Sequence, residues 1–313
     1  MPFTTLADRE LELFWVLNPE PTELAAATAE HPPTSQQLKP GLPVLVFLHG
    51  AGGSVLGFAR QLIDPRLRER YNLCAIDCPF HGFSRSTERA EHSLEDSADW
   101  VLRVLDELEL ESYSIYGEGP HGANVAAWIA AKRVGQVESL VLASPGYPLE
   151  EPTVGASLQE IKEAMSANKD GKGDGTGTFP VDALEEITIY CVGADERMRE
   201  ARQKLGEYFQ ARYGTGQPGY EFAFLFSFVY ERRPIPLEQL AKVACPVLIL
   251  RGGADNLVCP EAAWEKWQRA FPKSSNGAQV VTVAGGFNLL SVVEGGIVNH
   301  LIARFLQRSL SDA

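Results

Sequence analysis

Apolar and polar positions follow two rhythms along this chain, and the change between them marks its parts. Leu11–Leu17 (LELFWVL) reads as a strand. Val44–Leu48 (VLVFL) is an unbroken apolar run, the pattern of a central parallel strand covered on both faces. Similar runs recur at Leu73–Ile76, Val137–Ala143, Pro246–Leu250 and Gln279–Val283, with Tyr113–Tyr116 as a shorter β-rich member. Helical spacing lies between them, at Phe58–Arg70, Ala123–Ala131, Glu261–Ala270 and Ile297–Arg308. A further helix opens at Ser93-Leu94-Glu95-Asp96, where a capping serine and early acidic residues precede apolar Trp100, Val101, Val104, Leu105 and Leu108. Strand and helix alternate from Val44 to Ala143, which predicts an α/β fold with a mostly parallel sheet and right-handed crossovers. The alternation stops at Tyr147–Lys242, which reads as mostly helical, and resumes at Pro246. A core of residues 1–146 and 243–313 with a helical lid inserted at 147–242 is therefore expected. Asn18–Pro43, rich in Pro, Thr, Ala and Ser, is expected to be a loop or hairpin. Lids of this kind sit over the carboxyl ends of strands, where open α/β sheets bind ligands.

Charge and composition narrow the partners. With 28 Lys and Arg against 41 Asp and Glu, the net charge of −13 argues against nucleic acid or an anionic membrane as partner. No apolar run approaches a membrane span, and Met1–Phe14 has neither the basic start nor the apolar core of a signal peptide. The five cysteines (Cys74, Cys78, Cys191, Cys245, Cys259) are odd in number and lack paired metal spacing. Buried free thiols in the cytoplasm are the expectation, with no cofactor and no metal. Asp170–Thr176 has a faint calcium-loop pattern, but Lys172 stands third and Val181 twelfth, where a bidentate glutamate is needed. A flexible acidic loop fits that stretch better.

The candidate chemistry concentrates at Tyr113–Asn124 (YSIYGEGPHGAN), a β-rich run entering a glycine-dense turn that opens into a small-residue helix. Four other blocks precede or follow it in order: HGAGG at His49–Gly53, DCPFHGFS at Asp77–Ser84, SLED at Ser93–Asp96 and PVLILRGGADNLV at Pro246–Val258. Together these blocks resemble the α/β-hydrolase superfamily, with the turn at Gly117–Gly122 as its nucleophile elbow. The resemblance implies a nucleophile at the elbow, an acid at Asp255, and a histidine after the short strand that follows the acid loop. It also implies an oxyanion loop at His49-Gly50.

This chain departs from that pattern. Gly119, or Pro120 if the register shifts by one, takes the nucleophile's place, and Gly286 takes the histidine's. No histidine occurs between His121 and His300. In the preferred register Pro120 also removes a backbone N–H that would hold an oxyanion, a loss of about 3 kcal/mol of transition-state stabilisation. Serine-type ester hydrolysis is therefore not expected. Glu118 and His121, on either side of the gap, are a candidate replacement acid–base pair; the plainer reading is that Glu118 supports the turn and His121 packs at the helix start. Asp255 reads as a loop anchor or as a third catalytic group. His49, Gly50, Ala51, Gly119, Pro120 and Phe287 are expected to line the ligand site. The aromatic residues from Tyr208 to Tyr230 suggest an apolar or aromatic small-molecule ligand beneath the lid. Two functions stay open: a non-covalent lyase, isomerase, cyclase or water-activating hydrolase, and a non-catalytic ligand sensor or interaction scaffold.

Overall fold

The computed structural model of the chain describes residues 3–6, 11–28, 31–86, 92–146, 181–213, 225, 233–254, 258–274 and 277–311. Its strands are β1 (Phe3–Leu6), β2 (Leu11–Leu17), β3 (Val44–Leu48), β4 (Asn72–Ile76), the two-residue β5 (Arg85–Ser86), β6 (Tyr113–Glu118), β7 (Val137–Ala143), β8 (Val247–Gly252) and β9 (Gln279–Val283). They form one sheet in the order β1-β2-β4-β3-β6-β7-β8-β9, with β5 paired to β2. From β4 to β9 every neighbouring pair is parallel, while β2 runs antiparallel to β1 and β4. The mostly parallel α/β sheet read from the apolar runs is the one observed.

Alternation along the strands separates two cores. Val46, Leu48, Ile76 and Ile115 face one side, packed under the helices Leu94–Glu107 and Gly119–Lys132. Leu45, Phe47, Ala75 and Tyr116 face the other, against Phe58, Leu62 and the C-terminal helix Gly295–Ser311 through Val298, Ile302 and Phe305. Phe47 and Tyr116 are wholly buried, and each such side chain contributes roughly 1.5–3 kcal/mol. The helix after Ser93 is closed by a reciprocal capping box, Ser93 receiving the Asp96 N–H while Asp96 receives that of Ser93.

Register sets up the site. Leu48 of β3 lies opposite Ile76 of β4 and Gly117 of β6. Three strand ends therefore come level, and the segments His49-Gly50, Asp77-Cys78 and Glu118-Gly119 leave the sheet side by side.

Three expectations need correction. The single helix expected at Phe58–Arg70 is broken into Val55–Phe58, Ala59–Leu62 and Pro65–Arg68. Pro65 cannot donate into a continuing helix, and Asp64 restarts the chain by accepting the Arg66 N–H at 2.9 Å. The elbow helix begins at Gly119 rather than Ala123, because Pro120 fits a first turn whose N–H groups have no helical partner anyway. Within Asn18–Pro43 the described residues hold a short helix, Pro21–Ala26, in place of a hairpin.

Between β7 and β8 the described residues include the helices Val181–Val192 and Arg199–Tyr213, which pack on each other and on loops at the carboxyl end of the sheet. The Leu289 N–H donates to the Cys191 carbonyl at 3.0 Å, and the Tyr208 hydroxyl donates to that of Gly53 at 3.4 Å. The glycine-rich tract Lys169–Thr178 and the aromatic residues Tyr220–Tyr230 fall outside the described residues. No described helix is long and apolar enough to cross a membrane.

Candidate functional site at the elbow

The turn between β6 and its helix pivots on Gly119, whose φ of +68° lies in the left-handed region. A methyl group built there would stand 3.3 Å from the Gly50 Cα and 3.5 Å from the Asn288 Oδ1. The apex therefore lies in close contact with the His49–Gly53 loop on one side and with the loop after β9 on the other. Gly122 allows the close approach behind it, since a side chain there would run into the Leu48 and His49 carbonyls. Pro120 occupies the first turn and packs on Gly146.

Glu118, the last residue of β6, points away from the histidines. It shares a strand face with Tyr116, two residues earlier. Its Oε1 accepts from the Tyr116 hydroxyl at 3.0 Å and from the Ser291 N–H at 2.7 Å, and its Oε2 accepts from the Ser291 hydroxyl. Burial pushes its pKa up to about 6, against the pull of these three donors.

The other face holds three imidazoles. His49, His81 and His121 are buried, with ring centroids 4.8 Å apart for His49–His81 and His81–His121 and 6.3 Å for His49–His121. The Cys78 N–H donates to His49 Nε2 at 3.1 Å, so the proton of that ring sits on Nδ1 and is given to the Gly50 carbonyl at 2.8 Å. Asp77 Oδ1 lies 3.7 Å from the same Nε2. That contact is no ion pair, because burial lowers the His49 pKa to about 4 and leaves the ring neutral. Asp77 instead ties two loops together, accepting from Val55 N–H at 2.6 Å and Phe83 N–H at 2.7 Å, while burial raises its pKa to about 7. His81 gives its Nδ1 proton to the Pro79 carbonyl at 2.7 Å, and its pKa is held well below the ordinary value by burial and by His121.

Glu118 and His121, three positions apart in sequence, therefore lie on opposite sides of the sheet. The strand places Glu118 on the Tyr116 face, whereas the helix that starts at Gly119 packs on the opposite core. The ligating atoms of His49, His81 and His121 all lie within 4.8 Å of one another. Both nitrogens of His49 are already engaged, which leaves fewer imidazoles than the three protein ligands usual for a catalytic zinc.

The remaining candidates are distributed as follows. Gly50 approaches the elbow closely, a methyl there meeting Leu289 Cδ2 at 3.0 Å. The partly buried Ala51 lies in the same loop, and the Phe209 ring covers the neighbouring Gly52. Phe287 packs against Gly193. Asp255 lies outside the described residues. A methyl on Gly286 would press on Leu290 Cδ2 at 2.5 Å. The residue of this loop that reaches the elbow is Asn288, which the sequence reading passed over. Its signal was a polar side chain two positions after Gly286 inside an otherwise apolar run. Ser291, the partner of Glu118, was missed likewise. Cys74, Cys78, Cys191 and Cys259 are buried free thiols, Cys245 is a partly buried one, and burial raises the Cys78 thiol further from reactivity.

Known proteins place this architecture. Residues 43–292 match the family model described as alpha/beta hydrolase fold. The Magnesium-chelatase 30 kDa subunit of Rhodobacter capsulatus is 35% identical over 81 residues, 26% of this chain and 28% of that protein. The 2-hydroxymuconate semialdehyde hydrolase of Pseudomonas sp. (strain CF600) is 30% identical over 115 residues, 36% of this chain and 40% of that protein. The chain thus spans well under two thirds of the length of these curated relatives. The crystal structure of the enol-lactonase from Burkholderia xenovorans LB400 superposes with a TM-score of 0.73 at 15% identity, covering 98% of this chain and 100% of that one. With the model matched across most of its length, the chain belongs to the alpha/beta hydrolase fold family.

Proposed function

We propose that this protein holds a small, largely apolar molecule at the elbow without forming an acyl-enzyme. The observation that carries the reading is the apex itself: Gly119, at φ +68°, has no side chain, and the residue after it is Pro120. A covalent serine route needs a hydroxyl at that point, a base beside it and an N–H on the following residue. Here the facing group is the amide of Asn288, which does not exchange protons near neutral pH. The names of two relatives, a 2-hydroxymuconate semialdehyde hydrolase and an enol-lactonase, support a small oxygenated carbon skeleton as ligand. Leu289 against Gly50 and Phe209 against Gly52 support an apolar body for it.

Binding without turnover is the form the geometry favours, because Glu118 is occupied by Tyr116 and Ser291 and the imidazoles face one another. A second reading, non-covalent turnover as a lyase, isomerase or water-activating hydrolase, draws on the raised pKa of Glu118, about 6, in the range of a general acid or base. Incubation with a fluorophosphonate probe and measurement of intact mass tests the proposal. The mass is expected to stay unchanged, and a stoichiometric adduct overturns it. Small enols, lactones and aromatic esters incubated with the protein should be recovered intact; consumption faster than in buffer selects the second reading.

A further inference from the structure

Asn288 is 3% exposed, yet its Oδ1 accepts no hydrogen bond from any described residue. The orientation of the amide is fixed by chemistry. Its Nδ2 points at the Tyr190 carbonyl at 3.5 Å, and a flipped amide would set acceptor against acceptor there. The surrounding main chain is tied down as well. The Ser144 hydroxyl donates to the Phe287 carbonyl at 3.5 Å, and the Leu289 N–H donates to that of Cys191 at 3.0 Å. A rigid, buried acceptor is thus aimed at the Gly119 apex, where a methyl would lie in van der Waals contact with it at 3.5 Å.

Leaving such an oxygen without a donor is costly, and buried polar atoms in folded proteins are filled by water or ligand. We infer that Asn288 is the polar recognition point of the elbow site, and that its ligand class is a small apolar molecule carrying a neutral hydrogen-bond donor, a hydroxyl or N–H. The inference rests on the elbow being a ligand site and names the chemistry that site selects. An ether, ester or carboxylate presents only acceptors to Oδ1 and leaves it unpaired. A pocket built to hydrogen-bond a hydroxyl rejects the analogue that lacks it more strongly than an apolar pocket rejects a lost methylene. The remainder of the molecule meets Leu289 and the Phe209 ring over Gly52.

Matched phenol and anisole fragments, p-cresol against 4-methylanisole first, test this on the full chain by methyl NMR, with the Leu289 resonances as the local reporter. The phenols are expected to bind about tenfold more tightly than their methyl ethers. Asn288→Leu should abolish that preference, and Asn288→Asp, which keeps an acceptor, should retain it. Equal affinity of both members with shifts at Leu289 overturns the role of Asn288 while leaving the elbow as a ligand site. Absence of any shift at Leu289 for every pair, with binding elsewhere or nowhere, overturns both. The wild-type comparison needs no variant, so a misfolded mutant does not shield the inference.

Discussion

The two faces of the sheet at the elbow solve the same problem in opposite ways. On one face a buried carboxylate, Glu118, is surrounded by three donors from Tyr116 and Ser291. On the other, His49 and His81 are kept neutral, each giving its Nδ1 proton to a nearby backbone carbonyl. The first face accommodates a group that can carry charge by satisfying every lone pair that matters. The second avoids charge altogether. Polar residues of similar sequence prominence thus do different work: Glu118 fastens the elbow to the Leu290–Val293 helix, and the histidines fill a polar core beside the His49–Gly53 loop.

The largest test of this contrast is deletion. Glu118→Leu strips the acceptor from the Ser291 N–H, the Ser291 hydroxyl and the Tyr116 hydroxyl at once. A loss of about 4 kcal/mol is expected, because buried donors left unpaired each cost 1–3 kcal/mol. His81→Phe keeps the ring volume and leaves only the Pro79 carbonyl short of a donor, so it should cost about 1–2 kcal/mol. Urea denaturation of both variants measures the gap. Equal costs would mean that the two faces are not held differently.

Titration gives a smaller effect with a sign for each face. The Glu118 pKa near 6 in the folded chain lies above the ordinary 4.5, so its contribution is complete below pH 4.5 and is lost as pH rises through 6. The His49 value near 4 lies below the ordinary 6.5; its contribution is present above pH 6.5 and is lost as pH falls through 4. The stability advantage of wild type over Glu118→Gln should therefore shrink by about 2 kcal/mol between pH 4.5 and 6.5. Over pH 7.5 to 5 the imidazole nitrogens of His49 should keep the shifts of a neutral Nδ1–H ring. An advantage that grows with pH, or a His49 that titrates near 6.5, would reverse the assignment for that face.

Much of the fold was legible because apolar runs such as Val44–Leu48 and Val137–Ala143 report burial directly, and strand spacing has few alternatives. Pro65 explains the one broken helix and was visible in the sequence, but its effect depended on Asp64 turning back to cap Arg66. The site was less legible. Proximity in sequence joined Glu118 to His121, whereas the switch from strand to helix between them sends their side chains to opposite cores. Asn288 and Ser291 reach the elbow across 169 and 173 residues, a relation that no local pattern encodes.

Rebuilding the elbow is the finest discriminator. Gly119→Ser costs about 1 kcal/mol for a side chain at φ +68° and should not hydrolyse p-nitrophenyl acetate above the parent, since the new hydroxyl meets an amide oxygen and Pro120 offers no N–H. Adding Asn288→His places a base on the loop residue that faces the apex. Adding Gly286→His follows the sequence alignment instead, and there the new side chain collides with Leu290. Of the two double variants, the Asn288→His chain should therefore label faster with a fluorophosphonate, by a few-fold, because it alone can draw the serine proton. Faster labelling of the Gly286→His chain would show that the loop after β9 swings to bring position 286 to the apex, and the fixed geometry assigned to Asn288 would fall with it.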